Sequence, residues 1–329
     1  NYRNLEIKLG ERIALPYENQ EIEEFIKNSE ATYFIFGIAE DFGVQANFGR
    51  PGTKSAWNAG IKNILNLQNN AFLKGKSIAI LGHFEFDAFS EEFQRLNLLL
   101  SEHRKNIYKF IEQIDKEVSH LVNLICKHNK IPIVIGGGHN NAYGNIKGLA
   151  LAAGKAVNAV NFDAHTDFRP LEGRHSGNGF SYAYDEGFLK KYHIFGMHEN
   201  YISKMVYKDI EKVATDITYT TYEDIAIRQE VSFKQAVQNA LDHVGEDLFG
   251  VELDLDAIPF VQSSALTPSG FSAEKGRQFV HAMASHRNAA YLHVCEGAPA
   301  LDSENNENLV GKLIAYLVSD FIKAKEATK

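Results

Sequence analysis

The segment Asn161-Phe162-Asp163-Ala164-His165-Thr166-Asp167 decides how this chain is interpreted. It follows the apolar, β-leaning residues 156–160, so it is predicted to lie where a buried strand ends and a loop begins. Alternate side chains of an extended backbone point to the same face, so Asp163, His165 and Asp167 can converge on one point. Mixed carboxylate and imidazole ligands suit Mn, Fe, Zn or Ni better than Ca. The motif therefore indicates a metal site, although alone it could simply cap the next helix.

Two further stretches place polar side chains after predicted strands. The apolar run 131–135 ends in three glycines and His139, and the run 248–255 carries Asp254 with Asp256 just beyond it. Glycines let the backbone turn sharply and approach a ligand, and two aspartates beside an apolar strand are costly to bury without a partner or a metal. Parallel strands gather the residues at their carboxyl ends along one edge of the sheet, where open α/β folds bind ligands.

The three stretches together offer four carboxylates and two imidazoles. The candidate metal ligands are His139, Asp163, His165, Asp167, Asp254 and Asp256. This is too much negative charge for one divalent ion and about right for two. Binuclear sites activate water at neutral pH and stabilise the transition state of a hydrolysis. The pattern therefore predicts a hydrolase with two divalent ions.

These motifs resemble the metal-binding signatures of a known family. The segments GGGHNNAYG, NFDAHTD and ELDLD occur in the order found in the ureohydrolases, which include arginase, agmatinase and formimidoylglutamase. The resemblance extends to the segment GRPG at 49–52 and to Glu296-Gly297-Ala298-Pro299, and so covers about residues 30–325. Within the family the chain is most similar to formimidoylglutamase.

The resemblance implies a ligand set and a cofactor. His139, Asp163, Asp167 and Asp254 would hold one ion, whereas Asp163, His165, Asp254 and Asp256 would hold the other. Asp163 and Asp254 would then bridge the two ions, which in this family are usually manganese. All six positions carry a ligand in this chain, which argues against a relative that has lost its metals.

Five residues are candidates for catalysis or substrate binding. Asp167 would transfer a proton during hydrolysis, and the resemblance suggests that Glu296 contacts the substrate, since its carboxylate could pair with an amidinium group. Arg169 could bind a substrate carboxylate, or form only a surface salt bridge. Asn178 could bind the same group or serve only as a turn residue. Arginases have a histidine two positions after their Ser-Gly-Asn triplet; here Phe180 stands there, and His175 could partly substitute or be only a hydrogen-bonded loop residue.

The order of apolar segments predicts the fold class. Eight strand-like runs alternate with helical patterns, which indicates βαβ units and a largely parallel sheet. The chain shows no linker, internal repeat or break in composition, so residues 1–329 are predicted to form one domain. The resemblance implies the same fold, a three-layer α/β/α sandwich on a mostly parallel sheet of about eight strands.

Composition excludes several classes of protein. A net charge of −8 argues against nucleic acid as a partner, because phosphate binding needs a basic face. No apolar stretch is long enough for a membrane span, and the polar N-terminal sequence lacks the apolar core of a signal peptide. Cys126 and Cys295 are too few for a disulfide framework and are predicted to be free thiols in the cytoplasm. The resemblance adds the expectation of a homo-oligomer.

The predicted reaction is hydrolysis of a C–N bond at an amidine-type carbon in a small molecule. The favoured substrate is N-formimidoyl-L-glutamate, which would give L-glutamate and formamide in histidine breakdown. The alternatives are a guanidino hydrolase that releases urea, of the agmatinase or arginase type, and a non-catalytic metal-binding subunit.

Overall fold

A single sheet organises the structure, which is a computed structural model that describes residues 5–301 and 307–328. The strands are β1 (Tyr33–Ala39), β2 (Ile78–Glu85), β3 (Ile131–Ile135), β4 (Val157–Phe162), β5 (Leu189–Met197), β6 (Ile217–Thr221), β7 (Phe249–Asp254) and β8 (Ala289–Cys295). Their order across the sheet is β2-β1-β3-β8-β7-β4-β5-β6, and every pairing between them is parallel. The prediction of an eight-stranded parallel sheet is therefore confirmed.

Helices cover both faces of this sheet. They are α1 (Ile22–Asn28), α2 (Phe42–Ala46), α3 (Ala56–Leu65), α4 (Asp87–Gln94), α5 (Ser101–Lys127), α6 (Ala142–Ala153), α7 (Gly179–Asp185), α8 (Lys204–Lys212), α9 (Phe233–Val244), α10 (Ala273–Ala284) and α11 (Glu307–Ala327). Helices α3, α9, α10 and α11 share one apolar core with the sheet. Helices α1 and α5 cover part of the opposite face, and α6 to α8 cover the rest. The three-layer α/β/α architecture is thus confirmed.

The central strands are buried on both faces. The residues of β4 and β7 have almost no exposed surface, which is why these strands read as nearly continuous apolar runs in the sequence. Strand β8 comes last in the chain but lies between β3 and β7. This placement joins the N-terminal and C-terminal halves in one sheet, and the single domain over residues 1–329 stays a prediction.

The strand order brings the predicted site together. The adjacent strands β3, β8, β7 and β4 are followed, respectively, by His139, Glu296, Asp256 and the segment 163–167, and Asp254 is the last residue of β7. All of these residues therefore lie at the carboxyl edge of the middle of the sheet, where α/β folds bind their ligands.

None of the helices in the described ranges is both long and apolar enough to cross a membrane. Cys126 and Cys295 are both unpaired, as predicted.

Candidate metal centre and substrate cavity

Two groups of ligating side chains meet at the carboxyl edge of the sheet. His139, Asp163, Asp167 and Asp254 form one group, and His165, Asp254 and Asp256 form the other, with ligand atoms within 4.8 Å of one another in each. Asp254 belongs to both groups. Asp163 Oδ1 also lies 3.4 Å from His165 Nδ1, so Asp163 stands between the groups as well. The structure thus brings together all six residues predicted as ligands.

The first group surrounds one nitrogen of His139. Nδ1 of this buried ring lies 2.8 Å from Asp167 Oδ2 and 3.3 Å from one carboxylate oxygen of both Asp163 and Asp254. Nδ1 nevertheless has no hydrogen-bond partner among the described residues. An imidazole nitrogen without a partner that faces three carboxylates fits a bound cation.

Hydrogen bonds hold the shared aspartates in place. Asp163 accepts hydrogen bonds from the backbone N–H of His165 at 2.7 Å and from the Asn161 amide at 2.8 Å. Asp254 accepts one from the backbone N–H of Asp256 at 2.6 Å. These contacts fix the direction of each carboxylate before any ion binds.

The charge of the cluster favours a cation. Burial raises the pKa of Asp254 well above its usual range, and the neighbouring charges of Asp256 and Asp163 raise it further. Burial and the charge of Asp163 likewise raise the pKa of Asp167. These carboxylates therefore repel one another when ionised, and divalent ions would relieve that repulsion. Oxygen-rich ligands with two imidazoles fit manganese among the common divalent metals.

Glu296 presents a free carboxylate oxygen beside the metal centre. Its Oε1 accepts a hydrogen bond from the His139 backbone N–H at 2.7 Å, whereas its buried Oε2 has no partner among the described residues. Burial and the charge of Asp256 raise the pKa of Glu296 to about 8. Its backbone is left-handed, with φ 61°, and so is that of Asp167, with φ 44°. Such conformations are costly for residues other than glycine and cluster at functional sites.

A cavity of about 580 Å³ opens above the cluster. Asp167, Asp254, Asp256 and Glu296 form its floor, and loops that follow β1, β4, β5 and β7 form its walls. Residues lining these walls include Asn47, Arg169, Ser176, Tyr201 and Ala265. The cavity has room for a small molecule in contact with the predicted ligands.

Arg169 lines this cavity, as its predicted role requires. Its guanidinium donates hydrogen bonds to Asn47 Oδ1 at 2.9 Å and to Glu172 Oε1 at 2.6 Å, and its side chain is about half exposed. Glu172 therefore occupies one edge of the guanidinium fork that a substrate carboxylate would use. Arg169 therefore forms the surface salt bridge that the sequence left as one alternative, and it also lines the cavity in which a substrate carboxylate could bind.

Asn178 and His175 lie outside the cavity lining. The Asn178 carbonyl oxygen accepts hydrogen bonds from Arg174 and from the His175 backbone, and its amide donates to Gly173 O and Pro170 O. This fully buried side chain has no hydrogen-bonding capacity left for a substrate. These contacts match the second of the two roles predicted for Asn178, that of a turn residue.

His175 is held in the same loop. Its Nδ1 accepts a hydrogen bond from the Gly177 backbone and its Nε2 lies 3.2 Å from Glu172 Oε1. Burial and the neighbouring Arg169 charge lower the pKa of His175 to about 4. A buried ring with both nitrogens engaged is poorly suited to shuttle protons. Phe180 is also buried and packs edge-on against His139, so it supplies no proton either.

Some buried residues that support the candidate ligands were not predicted from the sequence. Glu40, just after β1, accepts hydrogen bonds from the Gly138 backbone at 2.9 Å and from the Asn141 amide at 2.6 Å, and so holds the glycine loop before His139. Glu252 and His293 lie behind the His139 ring. Glu252 alternates with Asp254 and Asp256 in the motif ELDLD, and that spacing is a signal that could have identified it.

Comparisons with known proteins agree with this site. The chain matches the arginase family over residues 31–319. It is 27% identical to the formimidoylglutamase of Macrococcus caseolyticus over 293 residues, which cover 86% of this chain and 83% of the relative.

Two solved structures have the same fold. The formimidoylglutamase of Bacillus subtilis has a TM-score of 0.77 at 17% identity, with 100% of this chain and 95% of that chain covered. A Trypanosoma cruzi formiminoglutamase with Mn²⁺ has a TM-score of 0.72 at 18% identity, with 96% and 98% covered. The family match spans most of the chain, and the chain therefore belongs to the arginase family.

Proposed function

We propose that this protein hydrolyses N-formimidoyl-L-glutamate to L-glutamate and formamide. The observation that carries the proposal is the convergence of six candidate ligands at the carboxyl edge of the sheet, four of which line one cavity together with Glu296. Membership of the arginase family and the curated relative named formimidoylglutamase support it.

The proposed cofactor is a pair of divalent ions, and a formiminoglutamase of the same fold contains Mn²⁺. We propose His139, Asp163, Asp167 and Asp254 as ligands of one ion, and Asp163, His165, Asp254 and Asp256 as ligands of the other. When bound, such ions supply Lewis acidity and allow water to act as a nucleophile at neutral pH.

The protein's own residues would orient the substrate and move protons. Glu296 Oε2 would accept a hydrogen bond from the amidinium nitrogen and so hold the reacting carbon over the aspartates. Asp167, which faces the cavity, would accept a proton from the attacking water and pass it to the departing amine of glutamate. Arg169 would bind a carboxylate of the glutamate part through its guanidinium fork.

Metal binding should be measurable as stability. An ion that binds only the folded chain stabilises it by about 2.7 kcal/mol when present at about one hundred times its Kd. We therefore expect Mn²⁺ to raise the melting temperature of metal-stripped protein, as followed by calorimetry at increasing Mn²⁺. Asp256→Ala should show a smaller rise, because it lacks one ligand. A melting temperature that is independent of Mn²⁺ would contradict the proposed cofactor.

Substrate choice is the direct test of the proposed function. We expect manganese-loaded protein to turn over formimidoylglutamate far better than agmatine or arginine, because Arg169 attracts a carboxylate and repels a cationic substrate. Release of formamide, urea and ammonia from the three compounds measures the preference. Urea release from agmatine or arginine as the main activity would favour the guanidino hydrolase, and no turnover of any of them by metal-loaded protein would favour the non-catalytic subunit.

Substitution of Arg169 tests the preference for a carboxylate-bearing substrate at a single residue. Arg169→Met is expected to raise the KM for formimidoylglutamate by roughly one to two orders of magnitude, the effect of losing a charged hydrogen bond. Glu172→Gln is the matched control in the same ion pair, since it releases Arg169 from a competing carboxylate and should leave KM unchanged or lower. An unchanged KM in Arg169→Met would remove the argument for a carboxylate-bearing substrate.

The proposal also covers the location, assembly and partners of the protein. We propose a cytoplasmic homo-oligomer without a nucleic-acid or membrane partner. The acidic net charge of −8 argues against a nucleic-acid partner, and the homo-oligomer and the cytoplasmic location rest on the resemblance to the family alone.

A further inference from the structure

A second buried polar group lies on the side of His139 that faces away from the aspartates. It consists of Glu252, Tyr291 and His293, and all three side chains are fully buried, as is His139 itself. Glu252 is on β7 and His293 is its direct partner across the pairing with β8. Burying these groups is costly unless their polar atoms are satisfied, so their contacts need an explanation.

Glu252 is the centre of this group. Its Oε1 accepts a hydrogen bond from the Tyr291 hydroxyl at 2.6 Å, and its Oε2 lies 2.6 Å from His293 Nδ1. His293 Nε2 in turn lies 3.2 Å from the carbonyl oxygen of Gly136, in the glycine loop that leads to His139. Two strands and a loop therefore hold the Glu252 carboxylate in one orientation.

The same carboxylate faces His139. Glu252 Oε2 lies 3.5 Å from His139 Nε2, and Nδ1 of that ring faces Asp163, Asp167 and Asp254. Histidines that bind metals usually donate their other ring N–H to a carboxylate or carbonyl, which fixes both the tautomer and the ring orientation. Glu252 is the acceptor placed for this purpose: its Oε2 lies just beyond ordinary hydrogen-bond distance of Nε2, which has no other hydrogen-bond partner among the described residues.

We propose that Glu252 is a positioning residue for the metal centre: it accepts the Nε2–H of His139 and so directs Nδ1 toward the ion, while His293 and Tyr291 hold Glu252. This inference rests on the proposed role of His139 as a metal ligand. A purely structural ion pair within the sheet would stabilise the fold but would not affect one ion selectively.

The test is a Mn²⁺ titration of metal-stripped protein by calorimetry, with free Mn²⁺ followed by electron paramagnetic resonance. Glu252→Gln replaces the charged acceptor of His139 with a neutral, weaker one and is expected to weaken the binding of one of the two ions by about 10- to 100-fold, the usual effect of mutating such a partner. The other ion should bind as in the wild type, and activity should recover at saturating Mn²⁺.

A matched pair of variants separates positioning from stability. His293→Gln should weaken the same ion as Glu252→Gln. His193→Gln is the control, because His193 is also a buried strand histidine but contacts Thr218 and Thr220 instead of the metal cluster. It should lower stability and leave both Mn²⁺ affinities unchanged.

The outcomes distinguish this inference from the proposed function. If wild-type protein does not bind two ions, the proposed function fails; if it does but Glu252→Gln binds both with wild-type affinity, the positioning role is overturned. Should Glu252→Gln not fold, Tyr291→Phe, which removes only one hydroxyl, and His293→Gln decide the matter. If either of these two variants folds and binds both Mn²⁺ ions with wild-type affinity, the positioning role is likewise overturned.

Discussion

Asp254→Ala is expected to abolish hydrolysis and to leave fewer than two ions bound per chain. Asp254 is the side chain that belongs to both groups of ligands, and its removal takes a ligand from both ions at once. The remaining carboxylates would also lose the geometry that keeps the two ions close together. Elemental analysis of manganese-loaded protein, together with a formamide-release assay, measures both effects. Asp163→Ala should behave in the same way.

The control for Asp254→Ala is Asp242→Ala. Asp242 is an exposed aspartate on α9, where it accepts a hydrogen bond from Gln238. The substitution is chemically identical but distant from the ligands, so activity and metal content should stay at wild-type values. Full activity in Asp254→Ala, or a fully active protein that holds no transition metal, would refute the binuclear interpretation.

Glu296→Gln is expected to lower kcat/KM by about one to three orders of magnitude, while both ions stay bound. The amide keeps a carbonyl oxygen that can accept the hydrogen bond of the His139 backbone, so the glycine loop should not move. A cationic amidinium beside Oε2 would favour the ionised carboxylate in spite of its raised pKa, and the amide cannot supply that negative charge. Steady-state kinetics with formimidoylglutamate and a metal count on the same sample test both parts.

Glu40→Gln provides the comparison for Glu296→Gln. Glu40 is also a buried glutamate that holds the glycine loop, but it does not line the cavity. Its substitution should lower stability more than it changes the ratio kcat/KM. Wild-type kinetics in Glu296→Gln would place that carboxylate outside the substrate site.

The convergence of the six candidate ligands was predictable from the sequence because buried aspartates and histidines at strand ends leave few chemical alternatives. Asp163, His165 and Asp167 alternate after an apolar run, and aspartates that follow buried strands need a cation or a hydrogen-bonding partner. The alternation of strands and helices also predicted a parallel sheet that gathers these residues at its carboxyl edge, but it did not predict the order of the strands. The left-handed backbone of Asp167 was not predictable, since the extended geometry assumed for the motif gives no reason for it.

Loop residues were harder to place because hydrogen-bond partners in loops leave no periodic pattern. Asn178 and His175 have the right chemistry for a substrate site, but Arg174 and Glu172 already engage them, and neither contact is visible in the spacing of the sequence.

The central position of β8 makes assembly of the His139 part of the metal site depend on the last strand of the sheet. This strand is synthesised after the others, yet it must be inserted between β3 and β7 before His139 and Asp254 can reach their final separation. A nascent or truncated chain without β8 has the six candidate ligands but lacks the strand that connects β3, which precedes His139, to β7, which ends in Asp254. Strands β4 and β7 pair directly, so the group of His165, Asp254 and Asp256 does not depend on β8, whereas the group that contains His139 does. We therefore expect the ion proposed to bind His139 to be taken up only after the last strand has been incorporated.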